Sequence, residues 1–112
     1  MPFLTITTNT KINNHQDVSE RASKFTASLL NKPESYVMVK ILSEQPLLFA
    51  GTNEPAAHVK LKSLGLPENN TTELSSKICS FIKTQFNINS ERIYIEFTNP
   101  ERHMWGWDKT TF

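Results

Sequence analysis

Polar and apolar positions alternate at the start of the chain, where Leu4 and Ile6 stand among Thr5, Thr7 and Thr8. A period of two sends successive side chains to opposite faces and predicts a half-buried strand over residues 2–8. A polar turn from Asn9 to Gln16 interrupts it. The period then lengthens: Val18, Ala22, Phe25 and Leu29 recur at helical spacing and predict one buried helix face. Asp17 and Glu20 have the N-cap and N3 spacing of a capping box, and Asn31-Lys32-Pro33 ends the helix, since the residue before proline avoids the α region. Tyr36 to Leu42 is apolar enough to predict a strand at the centre of a sheet. Leu47–Gly51 is a short apolar piece, expected as a short strand, and Thr52-Asn53-Glu54-Pro55 has loop chemistry.

The second half repeats the order. Ala57, Val59 and Leu61 alternate with His58, Lys60 and Lys62, a strand with one dry and one wet face, closed by Gly65 and Pro67. Asn70 and Glu73 offer another capping box before a helix with Leu74, Ile78, Phe81, Ile82 and Phe86 on its apolar face. Arg92 to Phe97 predicts a last strand, with Ile93, Ile95 and Phe97 on one face and Tyr94 and Glu96 on the other. The tail, with Trp105, Trp107 and Phe112, is too aromatic for a disordered end and must pack on something. The fold class that follows is α+β: two β-α-β units form one four-stranded sheet with two helices on one face. The helix-free face, carrying Lys, His, Thr and aromatic side chains, needs water or a partner, and the open sheet edges invite pairing with another chain.

Composition narrows this picture without redirecting it. A chain of 112 residues with 38% hydrophobic and 21% charged residues is expected to form a single domain over residues 1–112. A net charge of +1 without a Lys/Arg run gives no case for nucleic acid or an anionic membrane surface. No apolar run approaches the roughly 18–20 residues of a membrane span. A strand starting at residue 2 predicts that no leader precedes the fold, and the one cysteine, Cys79, suits a reducing compartment. The expectation is a cytoplasmic protein, with any release independent of a signal peptide. The Asn-x-Thr patterns at Asn69 and Asn70 then read as chance.

Candidate chemistry concentrates at the amino terminus. Removal of Met1, expected before proline, would leave Pro2 with a free secondary α-amine. Such an amine titrates near about 8, and apolar burial lowers that value by disfavouring the ammonium, so Pro2 is a candidate general base. The plain alternative is that Pro2 merely begins an edge strand, where its missing N–H does no harm. His15, His58 and His103 lie in separate segments without ligand spacing, so no metal is expected. No Gly-rich phosphate loop or nucleophile motif is present, and Cys79 reads as a small packing residue on the second helix.

An ordered set of short motifs carries further information: Met1-Pro2, Thr8-Asn9, Lys32-Pro33-Glu34-Ser35-Tyr36-Val37, Phe49-Ala50-Gly51, Glu54-Pro55, Ser63-Leu64-Gly65, Arg92-Ile93-Tyr94-Ile95, and Gly106-Trp107 followed by Thr110-Thr111-Phe112. Together they resemble the macrophage migration inhibitory factor family of the tautomerase superfamily, end to end. The resemblance implies a homotrimer with active sites between subunits and cofactor-independent keto–enol tautomerisation of phenylpyruvate- and dopachrome-like aromatic compounds. It implies Pro2 as the catalytic amine, Lys32 as the pocket lysine, Leu64 as a pocket-lining aliphatic and Tyr94 as a tyrosine supplied by the neighbouring subunit. Trp107 and Phe112 match the aromatic wall at the pocket mouth.

Three positions depart from the family pattern. Ala56-Ala57-His58-Val59 stands where better-known members carry Cys-x-x-Cys, so thiol redox activity is not expected. Trp105 replaces an aliphatic residue and narrows the pocket. Glu96 replaces a neutral Asn, and its charge beside Tyr94 predicts weaker turnover of keto acids than of neutral dopachrome-type esters. Two function classes follow: a tautomerase, or a cytokine-like interaction module that meets a protein receptor and keeps only a vestigial pocket. Pro2, Lys32 and Tyr94 favour the enzyme.

Overall fold

A computed structural model describes Met1–Phe112. The central strand is β1, Phe3–Thr8, and its parity is strict: Leu4, Ile6 and Thr8 are buried while Phe3, Thr5 and Thr7 are only partly covered. Helix α1, His15–Leu30, follows. Its N-cap is Asn14, three positions before the expected Asp17: the Asn14 side chain accepts from the Asp17 amide at 3.1 Å and donates to the Asp17 carboxylate at 2.8 Å. Asp17 thus plays the role foreseen for Glu20, as an acid in the first turn. The buried face runs Val18, Ala22, Thr26 and Leu30, with Phe25 and Leu29 at its margin. Thr26 is tolerated there because its hydroxyl donates to the Ala22 carbonyl at 2.8 Å.

Asn31, in the left-handed region at φ 53°, caps α1 and turns the chain back through a tight 3-10 turn, Glu34–Tyr36, into β2, Met38–Leu42. Strand β3 is Ala57–Lys62, helix α2 is Thr71–Phe86 and strand β4 is Ile93–Thr98. Asn70 is the N-cap of α2, as its position suggested, but its side chain makes no capping hydrogen bond. Leu47–Gly51 is not a strand; a tight turn with Ala50 and Gly51 at positive φ leaves only the bridge between Phe49 and Thr52.

The strand order is β2-β1-β3-β4. β1 is parallel to β2, β3 is parallel to β4, and the two units meet antiparallel at β1 and β3. β2 is therefore an edge, not the central strand its composition suggested. Its Val39 and Ile41 join the core, while Met38 on the other side is 62% exposed.

Register places side chains in rows across the sheet. On the helix side Leu4 aligns with Val39, Leu61 and Phe97, and Ile6 with Ile41, Val59 and Ile95. These rows meet Leu74, Ile78 and Ile82 of α2 and Ala22 and Leu30 of α1 in one core. On the open side the rows are Met38-Phe3-Lys62-Thr98, Lys40-Thr5-Lys60-Glu96 and Leu42-Thr7-His58-Tyr94. The aromatic tail folds into a hairpin of β5, Gly106–Trp107, and β6, Thr110–Thr111, whose turn residues Asp108 and Lys109 both have positive φ.

Candidate active site

The first row of the open face ends in a cleft of about 500 Å³ at the head of β1, and Pro2 lines it. Two segments build its walls. The chain leaving α1 returns to the head of β1, where the Met38 amide donates to the Pro2 carbonyl at 3.0 Å, so Tyr36 and Met38 stand beside the amino terminus. On the other side the chain beyond β4 turns through Arg102–Met104 and lays Trp105 and Trp107 across the opening. The Phe112 amide donates to the Trp105 carbonyl at 3.2 Å, and the Phe112 ring stacks on Trp107 with centroids 6.0 Å apart. The tail therefore packs where its aromatic content required, as one wall of the cleft.

The electrostatics of this end are one-sided. The terminal amine carried by Met1 is held below its ordinary value, first by burial and then by the positive charges of Lys32 and Arg102. Removal of Met1 moves the amine inward to Pro2, which is fully buried beneath it. Lys32 is half-buried beyond the end of α1, where its amide donates to the Ala27 carbonyl at 2.9 Å. Lowering by apolar burial was expected from the residues and Lys32 from the family resemblance; Arg102 is an addition, because its approach depends on how the tail folds.

The cleft thus brings together Pro2, Trp105 and Trp107, with Lys32 beside them and Phe112 behind Trp107. Leu64 lies past the end of β3, buried at 7% exposure, and its side chain is not among those lining the cleft. Tyr94 and Glu96 are on β4, two strands from β1, and reach no part of their own chain's cleft. Tyr94 is 67% exposed and meets Phe49 edge-on at 4.9 Å. Glu96 is not an unpartnered carboxylate: it bonds to His58 on the adjacent strand and lies opposite Lys60.

Sequence patterns did not single out Phe3, Tyr36, Met38, Lys62 or Met104 as cleft residues. The antiparallel pairing of Phe3 with Lys62 is the feature that brings two of them together. No group of three His, Cys, Asp or Glu residues is arranged to hold a metal ion. Cys79, on α2, has its thiol pushed up by burial, which disfavours the thiolate.

Two parallel β-α-β units joined antiparallel, with a depressed amine at the head of the first strand, define the tautomerase-superfamily architecture. Within it, this chain belongs to the macrophage migration inhibitory factor (MIF) family, whose profile matches residues 1–112. A macrophage migration inhibitory factor homolog of Trichinella spiralis is 34% identical over 114 residues, spanning 100% of both chains. One of Brugia malayi is 33% identical over 115 residues, covering 100% of this chain and 99% of its own. Among solved structures, the Trichinella spiralis factor superposes with a TM-score of 0.93 at 34% identity, covering 98% of this chain and 99% of its own. The homologue from Prochlorococcus marinus gives 0.91 at 33% identity over 98% of each chain.

Proposed function

We propose that this protein is a cofactor-independent keto–enol tautomerase for phenylpyruvate- and dopachrome-like aromatic substrates, acting through the amine of Pro2. The observation that carries this reading is the chain terminus: the Met1 amine is partly desolvated and faces the charges of Lys32 and Arg102, and Pro2 next to it lines a cleft walled by indoles. A base near neutrality is what abstraction of a proton α to a carbonyl requires. The Pro2 nitrogen takes that proton as the carbon–hydrogen bond breaks, and the electron pair moves onto the carbonyl oxygen. Lys32 offsets the developing enolate charge, and the proton returns to oxygen to give the enol. Trp105 and Trp107 hold the aryl group and keep water away from the amine.

The assembly proposed is a homotrimer in which Tyr94 of one subunit reaches the cleft of the next. Its support is the helix-free sheet face, where Met38 and Tyr94 are 62% and 67% exposed beside His58, Lys60 and Lys62. Apolar side chains on an open sheet face call for cover, while the lysines call for water or counter-charge. Light scattering is expected to give three times 12.8 kDa.

The deciding experiment compares protein beginning at Pro2, verified by mass spectrometry, with protein carrying one extra residue ahead of it. The extra residue converts the amine into an amide without basicity, and phenylpyruvate tautomerisation should fall to background. Equal activity in the two proteins overturns Pro2 as the base. A folded trimer inactive with a free Pro2 leaves the interaction-module reading in place of the enzyme.

A further inference from the structure

Lys62 was expected on the wet face of its strand, yet its side chain lines the cleft. It stands opposite Phe3 in the β1–β3 ladder, and its ammonium lies over the Trp105 ring at 5.7 Å from the centroid. The chain's ion pairs are His58 with Glu96, Lys77 with Glu73 and His103 with Glu101, so Lys62, Lys32 and Arg102 all lack a carboxylate partner. No Asp or Glu of the same chain lines the cleft. The site is thus a largely apolar slot in which Lys62 is the one charged side chain of the lining. Lys32 and Arg102 act on the amine, whereas Lys62 leans on the indole that forms the opposite wall.

Resting on the tautomerase reading above, we propose that Lys62 is a specificity-determining residue that adapts this site to aromatic keto acids bearing a second carboxylate. The keto-acid end lies at Pro2 and Lys32. The ring lies along Trp105, and the distal carboxylate meets the Lys62 ammonium, which the indole beneath already holds in place. A charge-assisted contact inside a partly desolvated slot is of the size that separates ligands by about tenfold.

Two measurements test this on the full chain with a free Pro2. Calorimetric titration with cinnamate and 4-carboxycinnamate, which carry no keto group to enolise, reads binding alone. Steady-state turnover of phenylpyruvate and its 4-carboxy derivative reads catalysis. In the natural protein the dicarboxylate is expected to bind about tenfold tighter and to show a similar advantage in kcat/KM. Lys62→Met should bring both ratios close to one, and Lys62→Arg, which keeps the charge and can stack on Trp105, should restore them. The ratio is the readout because general damage to the cleft lowers both ligands together. Equal binding of the two ligands by the natural protein, or an unchanged ratio in Lys62→Met, overturns the assignment. Discrimination in binding without turnover of either keto acid supports Lys62 and overturns the tautomerase reading; turnover without discrimination does the reverse.

Discussion

Arg92 ties the loop after β2 to the strand that carries Tyr94. Its Nε donates to the Pro55 carbonyl at 2.9 Å, Nη1 to Phe49 at 3.1 Å, and Nη2 to Glu54 at 3.0 Å and to Thr52 at 3.4 Å. The guanidinium also lies over the Phe49 ring at 5.2 Å, and Phe49 in turn meets Tyr94. Replacing Arg92→Met keeps a long apolar stem but releases all four carbonyls. Because most of these carbonyls are exposed, water replaces the lost donors, and each bond is worth about 0.5 kcal/mol, the low end for a protein hydrogen bond. The set then sums to about 2 kcal/mol, and loss of the stacking contact adds about 0.5. Unfolding entropy of about 2.1 cal/mol/K per residue over 112 residues turns a loss of about 2.5 kcal/mol into a midpoint lowered by roughly 11 °C. Scanning calorimetry at one fixed protomer concentration measures this, since the proposed assembly would make the midpoint concentration-dependent. Arg92→Lys, with one donor head in place of a fork, should recover less than half of the loss. A shift under about 2 °C for Arg92→Met would refute the additive estimate and show that the Asn9 bonds to Leu47, Asn53 and Glu54 hold this loop by themselves.

Other outcomes follow from single contacts. Because burial, Lys32 and Arg102 all disfavour the ammonium, the activity of the Pro2-first protein should rise with pH through a midpoint below the ordinary α-amine value of about 8. Lys32→Met removes a charge that opposes protonation, so its acid limb, normalised to its own plateau, should move to higher pH; a limb that stays in place contradicts the assignment. Thr8→Val preserves volume but removes the bond to the buried Ala56 carbonyl at 2.7 Å and the acceptor for the Thr10 amide, a loss of about 1–3 kcal/mol readable by urea denaturation. Glu96→Gln should change phenylpyruvate kcat/KM by less than about twofold, because an exposed carboxylate screened by water, two strands from β1, adds little field at the cleft of its own chain. A larger rise would put Glu96 inside a neighbouring subunit's pocket as a free charge.

The elements were legible because their signals are local. The alternation in β1 and β3 and the helical stripe from Val18 each report which side of a single element is dry, and the core keeps those sides. Start and stop chemistry was legible only approximately: Asn14 outcompetes Asp17 as the cap because its side chain reaches the open first-turn amide, a choice between neighbouring polar residues that spacing alone does not rank. Burial of β2 was overread for a related reason. Its apolar residues face both sides, one side meeting the core, while Met38 on the other lies open in the single chain. Pro2 could be named from the sequence because the chemistry of a terminal amine is local, whereas Lys32 was named only through the family resemblance, since its approach to the amine depends on the fold.

What tertiary structure decided is adjacency between residues far apart in sequence. Whether Lys62 faces water or the cleft depends on β1 pairing antiparallel with β3, since a slip of one residue would send its side chain into the core. Arg102 acts on the amine only because the segment after β4 turns back over the head of β1. Tyr94 and Glu96 share a face of β4, as alternation required, yet register gave Glu96 a partner in His58 and left Tyr94 exposed. Periodicity describes each element against an unspecified interior; pairing and chain reversal determine which distant charges meet.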